Sequence, residues 1–98
     1  MSKIVLVTGG FDPIHSGHIS YLREAARLGN RLVVGLNTDK WLERKKGRAF
    51  LPYNERKTIV EGLEMVDWTL PFNDDDGSAC DAIDRILKDT MDTVVFAN

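Results

Sequence analysis

Apolar positions along the chain alternate between short continuous runs and stripes at helical spacing. Ile4–Thr8 reads IVLVT and is followed by a pair of glycines, which predicts a strand buried on both faces. From His18 onward apolar residues recur at helical intervals until Gly29-Asn30, a pair that commonly ends a helix. Arg31–Asn37 (RLVVGLN) then predicts a second buried strand.

The second half of the chain continues the same alternation. Thr38–Lys46 is polar and basic and predicts a short helix or an ordered loop, and Leu51–Asn54 contains the proline and asparagine of a helix entry. Asn73–Gly77 predicts an acidic loop. The remaining expectations are helix core positions at Ile59, Val60, Leu63 and Val66, a strand at Trp68–Pro71, helix core positions at Ala79, Ala82, Ile83, Ile86 and Leu87, and a strand at Thr93–Phe96.

The alternation of strands and helices indicates a fold class. Strands that alternate with helices form parallel sheets whose faces are covered by the helices, with right-handed connections. The sequence therefore predicts an α/β, Rossmann-like, doubly wound parallel sheet with at least four strands. Because no internal repeat, low-complexity segment or linker is present, residues 1–98 are expected to form a single domain.

Composition excludes several classes of protein. Hydrophobic residues make up 43% of the 98 residues and charged residues 29%, and the formal net charge is −2, so no nucleic acid and no membrane is expected among the partners. Cys80 is the sole cysteine, which excludes a disulfide within the chain and agrees with a cytoplasmic location. The apolar run near the start is too short for a signal peptide or a membrane span.

Charge is distributed unevenly along the chain. The segment Lys40–Lys57 has seven basic and two acidic residues, whereas Glu64–Asp92 has nine acidic residues against Arg85 and Lys88. The basic segment is either a solvated face or one side of an anion site, and the charge pattern alone leaves both interpretations open.

The loop between the first strand and the first helix, Gly9–Gly17, lies where ligands bind in open parallel sheets. It leads into a helix N-terminus, whose free N–H groups and partial positive charge favour phosphate. Neither Gly-x-Gly-x-x-Gly nor Walker A is present in this loop. Asp39 could serve as the acidic residue of a Rossmann oxidoreductase, but the glycine spacing argues against that class.

Both histidines of the chain, His15 and His18, fall in or next to this loop. At a spacing of three residues around a helix start, the two imidazoles can project to one side. Three interpretations are open: the histidines are unrelated polar residues, part of a metal site, or phosphate ligands. Because no cysteine or further histidine accompanies them, zinc is disfavoured and no metal ligand is assigned. Phosphate contact through imidazole N–H groups is the favoured interpretation.

The run Gly9-Gly10-Phe11-Asp12-x-x-His15-x-Gly17-His18 resembles the HxGH nucleotidyltransferases, the cytidylyltransferase-like superfamily. The likeness continues through Gly29–Asp39 and through Glu55-Arg56-Lys57, and its nearest branches are glycerol-3-phosphate cytidylyltransferase and the heptose-phosphate adenylyltransferase domains. Glu64 together with Asp67-Trp68 is more similar to the heptose-phosphate branch, which slightly favours a sugar phosphate.

The resemblance implies a reaction and a set of nucleotide-binding residues. A nucleoside monophosphate would pass from CTP or ATP to a small phosphorylated alcohol or sugar, with release of pyrophosphate. His15 and His18 match the histidines that contact the triphosphate and the transition state. Gly9, Gly10 and Phe11 match the loop whose main chain lies against the nucleotide. Relatives are commonly dimers, so a homodimer is expected.

The basic segment gains a role from the same resemblance. Lys45 or Lys46 matches a mobile catalytic lysine that offsets charge as pyrophosphate leaves, and Arg56 matches a basic residue that reaches the phosphates or the acceptor. Asp12 matches the nucleotide-binding loop aspartate of the family, with a turn or cap residue as the alternative. Mg²⁺ is implied as a companion of the nucleotide, bound through its phosphates.

Two further elements of the family are expected after the last predicted strand. These elements are a base-binding loop and an Arg/Ser/Thr-rich motif, and the sequence ends at Asn98 before both. The domain is therefore expected to be C-terminally incomplete. A non-catalytic nucleotide-binding module is the alternative.

Overall fold

The computed structural model describes residues 3–90 and 92–97, so Asn98, the predicted end of the domain, lies outside the described residues. Strands and helices alternate as predicted. None of the helices in the described ranges is long and apolar enough to cross a membrane. The elements are β1 Lys3–Gly9, α1 Ser16–Ala26, β2 Arg31–Leu36, α2 Asp39–Lys46, α3 Tyr53–Glu61, β3 Trp68–Pro71, α4 Cys80–Asp89 and β4 Thr93–Phe96.

The strands form one parallel sheet in the order β3-β2-β1-β4. At the centre of the sheet, Val5 of β1 lies opposite Leu32 of β2 and Val95 of β4. The chain proceeds from β1 through β2 to β3 on one side and then crosses to β4 on the other, so the strand order reverses at β1. This topology confirms the predicted Rossmann-like α/β fold, and it makes the carboxyl end of β1 the expected ligand position.

A hydrophobic core covers each face of the sheet. Successive residues of a strand point to opposite faces, so Val5 and Val7 of β1 belong to one core and Ile4 and Leu6 to the other. The sheet is therefore wound on both faces, with α1 and α3 on one side and α4 on the other. The helix residues of the two cores are Leu22, Ala25 and Val60 on the first face, and Ala82 and Ile86 on the second.

The first two helices have sharper starts than their apolar spacing predicts. α1 begins at Ser16, earlier than the predicted His18, because His15 caps it. The segment predicted as a short helix or a loop is helix α2, and the Thr38 hydroxyl caps it by accepting a hydrogen bond from Trp41 N (3.1 Å).

One predicted core position is wrong. Leu87 is 53% exposed, because α4 turns Ala82 and Ile86 toward the sheet and leaves Leu87 on its outer face. Asp74, in the predicted acidic loop, is completely buried. Arg56 on α3 is also buried, although a charged side chain is rarely found inside a protein without partners.

Candidate active site

His15 and His18 cap the first turn of α1 reciprocally. Nδ1 of His15 accepts a hydrogen bond from Gly17 N (3.1 Å), and Nδ1 of His18 accepts one from His15 N (3.2 Å). In an ordinary capping box a serine and a glutamate accept these two bonds. The imidazole rings stack with 3.9 Å between their centroids. The two side chains are thus fixed side by side at the start of the helix.

These hydrogen bonds determine where each imidazole holds its proton. Because Nδ1 is an acceptor in both rings, the neutral rings carry their proton on Nε2, and each Nε2–H is available to donate to a ligand. Burial, together with the adjacent His15, lowers the pKa of His18. The pair is therefore suited to donate two hydrogen bonds to phosphate oxygens.

Close packing requires the glycines at the end of β1. A Cβ atom on Gly10 would lie 2.7 Å from Cδ2 of Leu42 in α2, and a Cβ on Gly9 would lie 2.9 Å from Cε2 of Phe11. Phe11 has a left-handed φ of 50° and a buried side chain. Its ring meets His18 edge-on, with 5.1 Å between centroids. The side chain of Phe11 therefore supports the imidazole from the core side.

Asp12 anchors the loop that joins α2 to α3. Its carboxylate accepts hydrogen bonds from Phe50 N and Leu51 N (both 2.6 Å) and pairs with Lys46 Nζ at 3.3 Å. Lys46 Nζ also donates to the main-chain oxygen of Asp12. Burial alone would raise the pKa of the Asp12 carboxyl, but these hydrogen bonds together lower it. Asp12 therefore makes a long-range tertiary contact, which is neither a local turn nor a helix cap, and its role in nucleotide binding stays a prediction.

The loop between β1 and α1, residues 10–15, is called the phosphate loop below. Arg56 ties this loop to the end of β2 and the start of α2. Its guanidinium is completely buried and donates to the main-chain oxygens of Leu51 (3.0 Å), Gly10 (3.0 Å) and Asn37 (2.7 Å) and to Asp39 Oδ1 (2.6 Å). The resemblance implied direct contact between this residue and the phosphates or the acceptor. The structure instead directs the guanidinium into the protein, because three carbonyl groups and a carboxylate converge on it.

The two candidate lysines have different surroundings. Lys46 is held by Asp12 and lies over the Phe50 ring, with Nζ 4.6 Å from the centroid. Lys45 has Nζ 4.8 Å from the Trp41 ring centroid, a cation–π distance, and it faces an open pocket. Of the two, Lys45 is therefore the one placed to meet a ligand.

This pocket, of about 360 Å³, lies at the carboxyl end of the sheet and is called the sheet-end pocket below. A second pocket, of about 350 Å³, lies among Asp75, Asp76, Asp81 and Asp84, whose charges disfavour a phosphate. The sheet-end pocket is lined by Thr8, Gly9, Asn37, Trp41, Lys45, Phe72, Gly77, Ser78, Ala79 and Phe96.

Sequence reasoning missed Asp74, Asn37 and Trp41 as residues in or next to this pocket. Asp74 is one of three consecutive aspartates, and nothing in that run indicates which carboxylate is buried. The sequence gives a weak indication for Asn37 and Trp41, because Asn37 precedes the helix cap Thr38 and Trp41 lies in the first turn after it.

In the part of the chain that the structure describes, no group of three or more His, Cys, Asp or Glu side chains could hold a metal ion. The carboxylates near the phosphate loop are engaged by protein groups, Asp12 by Lys46 and two amides and Asp39 by Arg56. These residues do not form a magnesium cage.

The predicted site residues fall into two groups. One group is held by contacts with other parts of the protein, and the other lies where a ligand can reach it, at the carboxyl end of β1, at the start of α1 and on α2. A parallel sheet with a histidine-capped loop at its strand-order reversal defines a Rossmann-like domain whose accessible residues lie at the usual ligand position of such sheets. The supporting group is Phe11, Asp12, Lys46 and Arg56, and the accessible group is Gly9, Gly10, His15, His18 and Lys45.

A protein-family model described as cytidylyltransferase-like matches residues 6–96, and the chain belongs to this family. The bifunctional protein HldE of Vibrio vulnificus (strain YJ016) is 47% identical over 75 residues, which are 74% of this chain and 16% of HldE. HldE of Sodalis glossinidius (strain morsitans) is also 47% identical over 75 residues, with the same shares covered. This chain thus spans a small part of the length of these relatives.

Among solved structures, the lipopolysaccharide core biosynthesis protein from Thermoplasma volcanium GSS1 is similar with a TM-score of 0.74. The match covers 100% of this chain and 98% of that chain, at 23% sequence identity. At this identity the likeness shows that the two chains share a fold.

Proposed function

We propose that this chain is a nucleotidyltransferase domain that transfers a nucleoside monophosphate from ATP or CTP to a phosphorylated sugar. The observation that carries the proposal is the capped histidine pair, which holds two Nε2–H donors side by side at the start of α1. Membership of the cytidylyltransferase-like family supports the same chemistry.

The nucleotide phosphates would bind against the start of α1. Two imidazole donors, the helix N-terminus and the glycine-bearing end of β1 all favour negative charge at this position. Because the imidazoles are fixed by their Nδ1 hydrogen bonds, they need no rearrangement when charge develops on the phosphate oxygens. Catalysis would therefore come from positioning and charge stabilisation, with no covalent enzyme intermediate.

The transfer would occur as an in-line displacement at the α-phosphorus. A phosphate oxygen of the acceptor forms a bond to this phosphorus as the bond to the bridging oxygen breaks, and pyrophosphate leaves with that electron pair. Mg²⁺ would arrive with the nucleotide and offset part of the triphosphate charge. His15 and His18 would donate hydrogen bonds to the oxygens around the reacting phosphorus. Lys45 would offset negative charge from the side of α2.

The sheet-end pocket is the proposed acceptor site, because it begins at Gly9 beside the phosphate loop and contains Lys45. Its volume of about 360 Å³ lies in the range of small-molecule sites. Trp41 offers a ring face to the carbon skeleton of a sugar, and Asn37 and Ser78 offer polar groups to hydroxyls. The similarity to HldE proteins, together with Glu64 and Asp67-Trp68, favours a sugar phosphate over glycerol 3-phosphate.

A panel assay tests this proposal. The protein is incubated with Mg²⁺ and either ATP or CTP, together with hexose phosphates, a heptose phosphate or glycerol 3-phosphate. Pyrophosphate release is measured, and ³¹P NMR identifies the nucleoside-diphosphate product. We expect release with a sugar phosphate and one preferred nucleotide. Nucleotide binding by calorimetry without release for any acceptor would contradict the proposal and favour the non-catalytic nucleotide-binding module. The expected homodimer is tested separately by light scattering.

A further inference from the structure

Asp74 is a completely buried carboxylate in the loop between β3 and α4. Its Oδ2 accepts hydrogen bonds from Asn37 Nδ2 (3.0 Å) and Thr38 N (2.8 Å), and its Oδ1 accepts one from Thr38 Oγ1 (2.8 Å). Its main-chain oxygen accepts a further bond from Arg44 Nη2 (3.1 Å). No lysine or arginine forms an ion pair with the carboxylate in the described part of the chain. A buried carboxylate without a cation is costly, so its hydrogen bonds must hold it in place.

These hydrogen bonds connect the two walls of the sheet-end pocket. One wall consists of Asn37 at the end of β2 with Trp41 and Lys45 of α2, and the other consists of Phe72 and residues 77–79 in the β3–α4 loop. Asp74 lies in the second wall and binds the first. The distance between the walls therefore depends on this carboxylate.

The α2 wall has attachments that do not involve Asp74. Leu42 packs against Gly10, Asp39 binds Arg56 and Lys46 binds Asp12. All three contacts join α2 to the phosphate loop or to α3. Loss of the Asp74 carboxylate should therefore leave α2 and the phosphate loop in place.

The β3–α4 loop is attached less firmly. One further bond reaches α2, from Arg44 Nη2 to the main-chain oxygen of Asp74. The others remain within the loop or reach α4: Gly77 N binds Asp74 O, Ser78 N binds Asp76 Oδ1, and Asn73 N binds Asp81 Oδ2. Without the carboxylate, residues 77–79 would keep their local turn, but three of the four bonds that join Asp74 to Asn37, Thr38 and Arg44 would be lost.

We propose that Asp74 is a positioning residue that fixes the outer wall of the acceptor pocket and thereby sets the affinity for the sugar phosphate. This inference rests on the proposed function for the identity of the acceptor. His15 and His18, the proposed phosphate ligands, are not among the residues that line this pocket, so nucleotide affinity is expected to depend less on Asp74 than acceptor affinity does.

The test uses Asp74→Ala and Asp74→Asn, with Asp75→Ala as the matched control because Asp75 is an exposed neighbour. Steady-state kinetics are measured with each substrate varied at saturation of the other. For Asp74→Ala we expect the acceptor KM to rise by about tenfold or more, which corresponds to about 1.4 kcal/mol, with nucleotide KM and kcat changed by less than about threefold. Asp74→Asn should recover part of the loss, since its amide oxygen can still accept the two N–H groups.

Hydrogen exchange provides a readout that does not depend on turnover. In Asp74→Ala, amide exchange over residues 73–79 should become faster while α2 keeps its protection, and Asp75→Ala should exchange like the wild type. Unchanged exchange over 73–79, equal loss of protection in α2, or nucleotide and acceptor KM values that rise together would overturn the inference. If Asp74→Ala does not fold, the same outcomes are judged on Asp74→Asn. An inactive wild type would refute the proposed function, and the exchange data would still decide whether Asp74 holds the wall.

Discussion

Arg56 offers the most direct test of how the phosphate loop is held, and Arg56→Met is the most informative change. Methionine keeps much of the side-chain length and fills the buried space, but it donates no hydrogen bond. The substitution therefore removes the bonds to Gly10, Asn37, Leu51 and Asp39 without leaving a large cavity.

The structure determines how large the effect should be. Three carbonyl oxygens lose a donor, and each unsatisfied buried acceptor costs about 1–3 kcal/mol. The Asp39 side chain is 41% exposed, so water can hydrate its carboxylate when Arg56 is removed. The loss of the Arg56–Asp39 ion pair is therefore the smallest contribution. Because these costs are not additive, we expect Arg56→Met to lower the free energy of unfolding by about 3–5 kcal/mol, at the lower end of the sum for three unsatisfied acceptors. Lysine keeps the positive charge and can donate three hydrogen bonds, but its compact ammonium cannot reach all the acceptors of the planar guanidinium. Arg56→Lys should therefore recover part of that loss.

Urea unfolding followed by far-ultraviolet circular dichroism measures this loss. Arg27→Met is the matched control, because the Arg27 side chain is 76% exposed and its ion pair with Glu24 lies at the surface. The control should change the free energy of unfolding by less than about 0.5 kcal/mol. If Arg56→Met lost less than about 1 kcal/mol, the guanidinium would not be the support of the phosphate loop that its contacts indicate.

Three further predictions separate structural from chemical roles within the site. His15→Asn and His18→Asn keep an acceptor for the capping hydrogen bond but lose the Nε2 donor, so helix stability should survive while turnover falls about 10²-fold; a wild-type rate would remove the pair from the proposed mechanism. Asp12→Asn should cost about 1–3 kcal/mol in urea unfolding at neutral pH. Because the folded pKa of Asp12 is lowered, the stability it contributes is complete above its ordinary value of 3.8 and is lost as the pH falls through the lowered pKa. The difference between wild type and Asp12→Asn should therefore shrink in acid, and a constant difference would refute the assigned role. Lys45→Ala should lower turnover with stability changed by less than about 0.5 kcal/mol, whereas Lys46→Ala should destabilise by about 1–2 kcal/mol; the reverse pattern would exchange their roles.

Local pattern was sufficient to predict the architecture. Ile4–Thr8 and Thr93–Phe96 are apolar runs that match strands of the sheet because a parallel sheet covered on both faces requires continuous hydrophobic residues. α2 was ambiguous because Leu42 is its sole fully buried residue, so its hydrophobic stripe is too weak to distinguish a helix from a loop. The Thr38 cap and the packing against Gly10 then favour the helix.

The supporting residues of the site could not be assigned from sequence. The family resemblance implied that Arg56 contacts a ligand, yet its main-chain acceptors are Leu51, five residues away, and the more distant Gly10 and Asn37. Asp74 was predicted only as part of an acidic loop, and the residues just after β2 provide the donors that bury it. In both cases the partners are backbone groups or side chains brought close by the fold, which hydrophobic periodicity does not encode.

The histidine pair shows why the chemistry of this loop was nevertheless visible in the sequence. Serine or aspartate at position 15 would cap α1 as well as an imidazole does, so helix stability alone gives no reason for histidine. An imidazole differs from these caps in having a second nitrogen on the opposite side of the ring. In both His15 and His18, Nδ1 accepts a main-chain hydrogen bond in the first turn of α1. The Nε2–H of each ring is therefore held in a fixed position outside the helix. The same two bonds that begin the helix thus orient the donors, and the spacing of three residues that a capping box requires is also the spacing that stacks the two rings side by side.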